Sequence, residues 1–215
     1  MNKSYLTGFL SGTSVVALGM VVVLLGSGFQ GASAKTGVVD AIKVMEAVET
    51  SRNYREEEKN YFVERENALQ YLSQNRMMKK EEAEKFWALT LKATKTDAEK
   101  AELEKVKNAA AEAKKKFNDL QVKANPTDAD LKLLDEYRNR QADIGEYAKK
   151  IVEETQNDMK DLRQKHINSL QDAFQSAIQE IGKRDGYGVI FDKNVVPFAA
   201  NDVTDAVAKI ATKKG

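Results

Sequence analysis

Residues 103–124 read LEKVKNAAAEAKKKFNDLQVKA, and within them Leu103, Val106, Ala110, Ala113, Phe117, Leu120 and Ala124 fall at alternating spacings of three and four. That repeat puts one apolar seam on an α-helix and leaves charge on its other faces, the pattern of a helix packed along another helix. A second seam runs through Leu134, Tyr137, Gln141, Ile144, Ala148 and Ile151. It continues loosely through Met159 and Leu162, then shifts register to Leu170, Phe174, Ala177 and Ile181. Upstream, Val44, Val48, Tyr54, Tyr61, Phe62, Leu69 and Leu72 give a stripe without a clean heptad.

Between Lys43 and Gly182 there is one proline, Pro126, and one glycine, Gly145, in a background of strong helix formers. Two breaks stand out. Thr96-Asp97-Ala98-Glu99 reads as a helix start with Thr96 or Asp97 as N-cap. Asn125-Pro126 ends a helix, and Thr127 followed by Asp130 has the spacing of a capping box. The spacing predicts three helices, about 43–93, 98–124 and 127–182. The first and third would each be roughly 75–85 Å long at 1.5 Å per residue. With two outer helices of near-equal length, the middle one is expected to add little displacement and to cross or fold over near a tip.

The flanks carry strand signals. Thr36-Gly37-Val38-Val39-Asp40 reads as a short strand, Tyr187-Gly188-Val189-Ile190-Phe191 as a second and Val195-Val196-Pro197-Phe198-Ala199 as a third, with Asp192-Lys193-Asn194 as a hairpin turn. Pro197 belongs at a sheet edge, because it has no N–H to donate. Asn201-Asp202 then caps a last helix with Val203, Ala206, Val207 and Ile210 on one face. The fold class is therefore mainly α with a small β body. A long antiparallel helical, coiled-coil arm is inserted between the first strand and a C-terminal β-hairpin plus helix.

Residues 1–34 read as a cleavable signal peptide: one charge at Lys3, an apolar run from Val15 to Leu25, and Ala32-Ser33-Ala34 before a cut after Ala34. The run is short for a membrane span; an uncleaved anchor is the alternative. The expected domains are 1–34 (signal), 35–42 with 183–215 (a β/α oligomerisation body) and 43–182 (the arm, with tip segment 94–128). The localisation that follows is export to the periplasm.

Composition removes several functions. With no cysteine there are no disulfides, thiolate metal sites or cysteine nucleophiles. Residues 35–215 carry 33 basic and 33 acidic side chains, so nothing favours a nucleic acid partner. His166 is the only histidine and has no second histidine or cysteine to share a metal, so it reads as a seam or surface residue, not as a ligand or proton shuttle. Glu56-Glu57-Glu58 and Glu81-Glu82 lie beside lysines at helical spacing and read as solvated ion pairs. Lys114-Lys115-Lys116 reads as a solvated face. Gly186-Tyr187-Gly188 lacks the lysine and following helix of a phosphate loop. No nucleophile, base and orienting group come together, so no enzyme, cofactor, metal or small-molecule substrate is expected.

The aromatics are the candidate binding residues. Tyr54, Tyr61, Phe62, Tyr71, Phe86 and Trp87 lie on one predicted helix, with Met77 and Met78 between them. A two-helix arm cannot hide them all, and those left over would form an adaptable apolar lining. In the body, Val38, Val39, Val189, Ile190, Phe191, Val195, Val196 and Phe198 are the candidate oligomerisation residues.

In its order of parts the chain resembles the Skp/OmpH family of periplasmic chaperones. The strand TGVVD, the helix start AIKVMEAV and above all GYGVIFDKNVVPFAANDVTDAVAKIA over 186–211 carry the likeness. The resemblance implies a jellyfish-like homotrimer whose helical arms enclose a cavity and hold unfolded outer-membrane proteins without ATP, with transient contact at the membrane surface. Two departures stand beside it. Segment 94–128 lengthens the arm, and residues 43–182 hold 26 basic against 28 acidic side chains where members are often strongly basic. No residues for electrostatic capture or lipopolysaccharide contact are therefore carried over. The contrasting function is a coiled-coil spacer or envelope tether that binds folded partners.

Overall fold

The computed structural model describes residues 35–197 and 200–214. In chain order the elements are β1 (Lys35–Val39), α1 (Ala41–Ser51), α2 (Tyr54–Gln74), α3 (Lys80–Leu91), α4 (Asp97–Gln121), α5 (Asp128–Asp185), β2 (Tyr187–Asp192), α6 (Thr204–Ala211) and a 3-10 turn (Thr212–Lys214). They form two compact units, Met1–Arg52 with Leu170–Gly215, and Asn53–Ser169. The expected signal, 1–34, lies outside the described residues.

In the first unit β1 and β2 pair in parallel, with Thr36 opposite Val189 and Val39 opposite Asp192. Parallel pairing requires a crossover, and the helical stretch between the strands supplies it. Gly37 sits where β1 passes close to the Tyr187 ring: a Cβ there would lie 3.0 Å from Tyr187 Cε1. Gly186, at φ +71, takes the left-handed turn that ends α5. The strand expected over 195–199 is not formed among the described residues. The Val195 and Val196 N–H groups both donate to the Asp192 carbonyl, at 2.9 and 3.0 Å, so the chain curls into a turn. Phe198 lies outside the described residues. The second neighbour of β1 is instead the segment 201–203. The Val38 N–H donates to the Asn201 carbonyl and the Val203 N–H to the Val38 carbonyl, both at 2.8 Å.

The unit's core follows helical spacing. Val44 and Val48 of α1, Phe174, Ala177, Ile178 and Ile181 of α5, and Val207 and Ala211 of α6 close over Val39 and Ile190. Asp40 caps α1, its carboxylate accepting from the Lys43 N–H at 3.0 Å. The N-cap of α6 is Val203, not Asn201 or Asp202, and the Asp202 carboxylate accepts the Thr204 N–H at 3.0 Å from just before it. Thr204 Oγ1 accepts the Asp40 N–H at 2.9 Å, which joins the two helix entries.

The second unit corrects the helix expected over 43–93, which is three helices. The first break is at Asn53, whose φ of 55° lies in the left-handed region that asparagine tolerates. The second spans 75–79. The Asn75 side chain donates to the Tyr71 carbonyl at 2.9 Å, and Glu82 accepts the Lys79 N–H at 2.9 Å to start α3. The predicted breaks at 96 and 127 are formed as expected. The Thr96 N–H donates to Glu99 at 2.9 Å and the Thr127 N–H to Asp130 at 2.7 Å. The 12-residue α3 folds back on α2, Tyr71 against Phe86, and α4 runs antiparallel along α5, so the chain turns back again between Gln121 and Asp128.

Both seams are buried at their centres, with Leu103, Leu120, Leu134, Gln141 and Ala148 half-buried; Ala124, expected to close the first seam, lies beyond the end of α4 and is exposed. Val106, Ala110, Ala113 and Phe117 of α4 meet Tyr137 and Ile144 of α5, joined by Leu72, Met78, Ala83 and Phe86. The register shift expected in α5 is a seam whose places are taken by polar residues: Thr155 and His166 are both 8% exposed.

Candidate functional site

The candidate aromatics lie in the second unit, and their surroundings differ. Three contacts set α2 antiparallel to α5: the Tyr54 hydroxyl donates to Ser169 Oγ at 2.9 Å, Arg163 to Glu58 at 3.1 Å, and the Tyr61 hydroxyl to Asp158 at 2.8 Å. The Arg65 guanidinium lies 3.3 Å over the Tyr61 ring. Burial and the bond to Asp158 push the Tyr61 hydroxyl up to about 12, so it stays a neutral donor. Phe62 is half-buried one position further on.

Tyr71 stacks on Phe86 at 4.3 Å, bridging α2 and α3. Met78 and Phe86 are buried in the core at 0% and 3% exposure, and Met77 is buried in the second cluster against Phe117 and Tyr137. Their surface is spent on packing within this chain. Tyr54, Tyr61, Phe62, Tyr71 and Trp87 keep part of theirs. Of the adjacent pair Phe86 and Trp87, one is buried and one half-buried, as neighbours on a helix must point apart.

Two apolar side chains at the α4–α5 turn were not visible as candidates in the sequence. Val122 is 83% exposed and Leu131 47%, with Val63 of α2 next among the exposed apolar residues of this unit. They belong to seam-like runs but fall where a helix ends or faces outward, which spacing alone does not reveal. A groove between α3 and α5 is lined by Lys80, Glu84, Asp143, Glu146, Tyr147 and Lys150. Apart from Tyr147 its lining is charged, of both signs.

In the first unit Val38, Val39 and Ile190 are buried within the chain, while Val189, Phe191 and Val196 are half-buried and Val195 is exposed. Among the described residues, β2 has β1 as its one strand neighbour.

His166 is buried on α5. Its ring stacks flat on Tyr54 at 4.0 Å and 6°, Nδ1 lies 3.0 Å from Glu58 Oε1, and Nε2 lies 3.2 Å from Glu57 Oε2. The sequence reading placed Glu57 and Glu58 in solvated pairs along their own helix; they reach across to α5 instead. Among the described residues no group of three or more histidine or carboxylate side chains is placed to hold a metal. No described helix is long and apolar enough to cross a membrane.

The chain is mainly helical with a small two-stranded parallel sheet whose strands are separated by the long helical stretch. Residues 90–210 match the family model described as outer membrane protein (OmpH-like), and the chain belongs to the OmpH-like family. At family level this is a chaperone-type role for outer-membrane proteins in the periplasm. Comparison with curated proteins finds no match, and comparison with solved structures finds none.

Proposed function

We propose that this chain is an ATP-independent periplasmic holdase. It is exported by a signal at 1–34 cut after Ala34, and three copies assemble through a body of 35–42 and 183–215. Arms of 43–182 then enclose a cavity in which unfolded outer-membrane proteins are kept from aggregating. Membership of the OmpH-like family carries this reading. Among the described residues the sheet has two strands, which favours a shared sheet between copies, since two strands alone are marginal.

The second unit buries most of its own apolar residues and leaves scattered ones exposed or half-exposed. Clients would therefore be held by many weak contacts rather than by one deep pocket. Tyr54, Tyr61, Phe62, Tyr71 and Trp87 supply the half-exposed surface, and Val122 and Leu131 the most exposed apolar points. Met77, Met78 and Phe86 support that surface from behind. The test is suppression of aggregation of a urea-denatured outer-membrane barrel on dilution. Holding at near-stoichiometric trimer is expected. Absence of protection, or a monomeric mass in solution, overturns the reading.

A further inference from the structure

We propose that the groove between α3 and α5 receives an arginine side chain from an extended client segment, with Tyr147 as its aromatic wall and Glu84, Asp143 and Glu146 as its carboxylates. This rests on the holdase reading and names one chemistry by which a client is recognised. With Lys80 and Lys150 these residues line a groove of about 320 Å³, all of it within the second unit. That is near the lower end for ligand sites, on the order of 300–1,000 Å³, and enough for one guanidinium and its stem.

Two independent observations point to a cation. The first is the tyrosine. Among the described residues every other tyrosine ring has a partner. Tyr54 stacks on His166, Tyr71 stacks on Phe86, Tyr137 meets Phe117 edge-on, and Arg65 and Lys35 lie over Tyr61 and Tyr187. Tyr147 has neither a ring nor a cation against it. It packs against the core cluster that holds Phe86 and Ile144, and it also lines the groove. The chain's own guanidiniums show what such a ring accepts: Arg65 lies 3.3 Å over Tyr61 and Arg140 5.0 Å over Tyr137.

The second observation is unpaired charge. Among the described residues the side chains of Lys80, Glu84, Asp143 and Glu146 make no ion pair or hydrogen bond, while Lys150 is engaged by Glu154 at 3.5 Å. Three unpaired carboxylates against one unpaired lysine leave the groove at −2. Burial, with the carboxylates of Glu84 and Glu154 nearby, pushes the Tyr147 hydroxyl up to about 12. The negative field that opposes a phenolate there favours a cation. Arginine suits the site better than lysine. Its guanidinium is planar, stacks on a ring and can donate to more than one carboxylate, whereas an ammonium is a strongly hydrated point charge. The three carboxylates are exposed, so the contact is weak. It is one among many, and whole-client holding stays nearly independent of salt.

Fluorescence anisotropy on the full chain tests this. The probes are a dye-labelled Gly-Ser peptide carrying arginine and the same peptide carrying lysine or citrulline, the neutral isostere. At low salt the arginine peptide is expected to bind about tenfold tighter than the citrulline peptide, the scale of one charged hydrogen bond, and tighter than the lysine peptide. E84Q/D143N/E146Q should abolish that advantage, and Y147L should cut it about threefold, the scale of an exposed cation–π contact. Equal affinity for arginine and citrulline, lysine matching arginine, or an advantage unchanged in the triple variant overturns the proposal. The wild-type comparison of arginine with citrulline decides the matter even if a variant fails to fold. Aggregation of the denatured barrel, followed with the same preparation, separates the two readings. Holding without arginine preference overturns the groove alone; arginine preference without holding overturns the holdase and keeps the groove.

Discussion

Gly37 shows how a single position can be fixed by a neighbour rather than by its own conformation. Its added Cβ would meet Tyr187 Cε1 at 3.0 Å, Cδ1 at 3.2 Å and the Asn201 carbonyl at 3.4 Å. Tyr187 is itself buried, with Lys35 Nζ 4.0 Å over its ring, so it has little room to yield. Gly37→Ala is expected to destabilise the first unit by about 1–3 kcal/mol, the usual cost of overpacking. Urea unfolding followed by far-UV circular dichroism checks it, and Gly37→Ala with Tyr187→Leu should recover part of the loss. In the second unit the half-buried Trp87 offers the client test. Trp87→Ser should weaken holding several-fold, while Phe86→Ser should act mainly through stability by opening a core cavity. Holding assays beside thermal melts separate the two, and equal effects on holding at equal stability would remove Trp87 from the surface. Burial of Phe86 against exposure of Trp87 was legible only as an either-or, because adjacent residues on a helix must diverge but the sequence does not say toward what.

Among elements, helix starts were legible where side chains carry them. Thr96 with Glu99 and Thr127 with Asp130 both close reciprocal caps. Thr127→Ala should cost about 1 kcal/mol in the α4–α5 turn, and Thr127→Ser little; chemical denaturation of the three proteins side by side measures this. The breaks at Asn53 and 75–79 were not legible. Neither contains glycine or proline, and each depends on an asparagine whose choice between helix and turn is settled by packing. Among the described residues, 195–197 form no strand for a similar reason. Val195 and Val196 have strand propensity, but their N–H groups are captured by the Asp192 carbonyl. The seams were legible nearly residue by residue, because a period of three and four is a property of the helix itself. The contact of His166 with α2 was not, since Glu57 and Glu58 look the same in sequence whether they pair along α2 or reach across to α5.

For the molecule as a whole, charge sets the response to pH and salt. Lys193 and the Thr204 bonds hold Asp202 down at about 2, and Lys123 with Thr127 does the same for Asp130. These carboxyls are depressed, so their stabilisation is present above the ordinary carboxylate value near 4 and disappears as pH falls toward about 2. Both are at the surface, where screening keeps each contribution small. Asp202→Asn should therefore flatten, not abolish, the fall in melting temperature between pH 5 and pH 2.5. The arm, 43–182, carries a net charge of −2, so client holding should change less than threefold between 50 and 500 mM salt. A steep salt dependence in the aggregation assay would point to electrostatic capture instead.

The parallel pairing of β1 with β2 has a kinetic consequence. Positions 40 to 186 separate the two strands, so this sheet has a very high contact order in a molecule otherwise built from neighbouring helices. Closing a flexible loop of that size costs roughly 4 kcal/mol of chain entropy before any ladder bond forms. Helices that fold locally first shorten the search, which places the sheet at the end of the folding sequence. A nascent chain that has made β1 must wait for nearly all the rest before Val38 and Val39 are covered. A chain cut once inside the helical stretch keeps both strands but loses the connection that holds them at high local concentration.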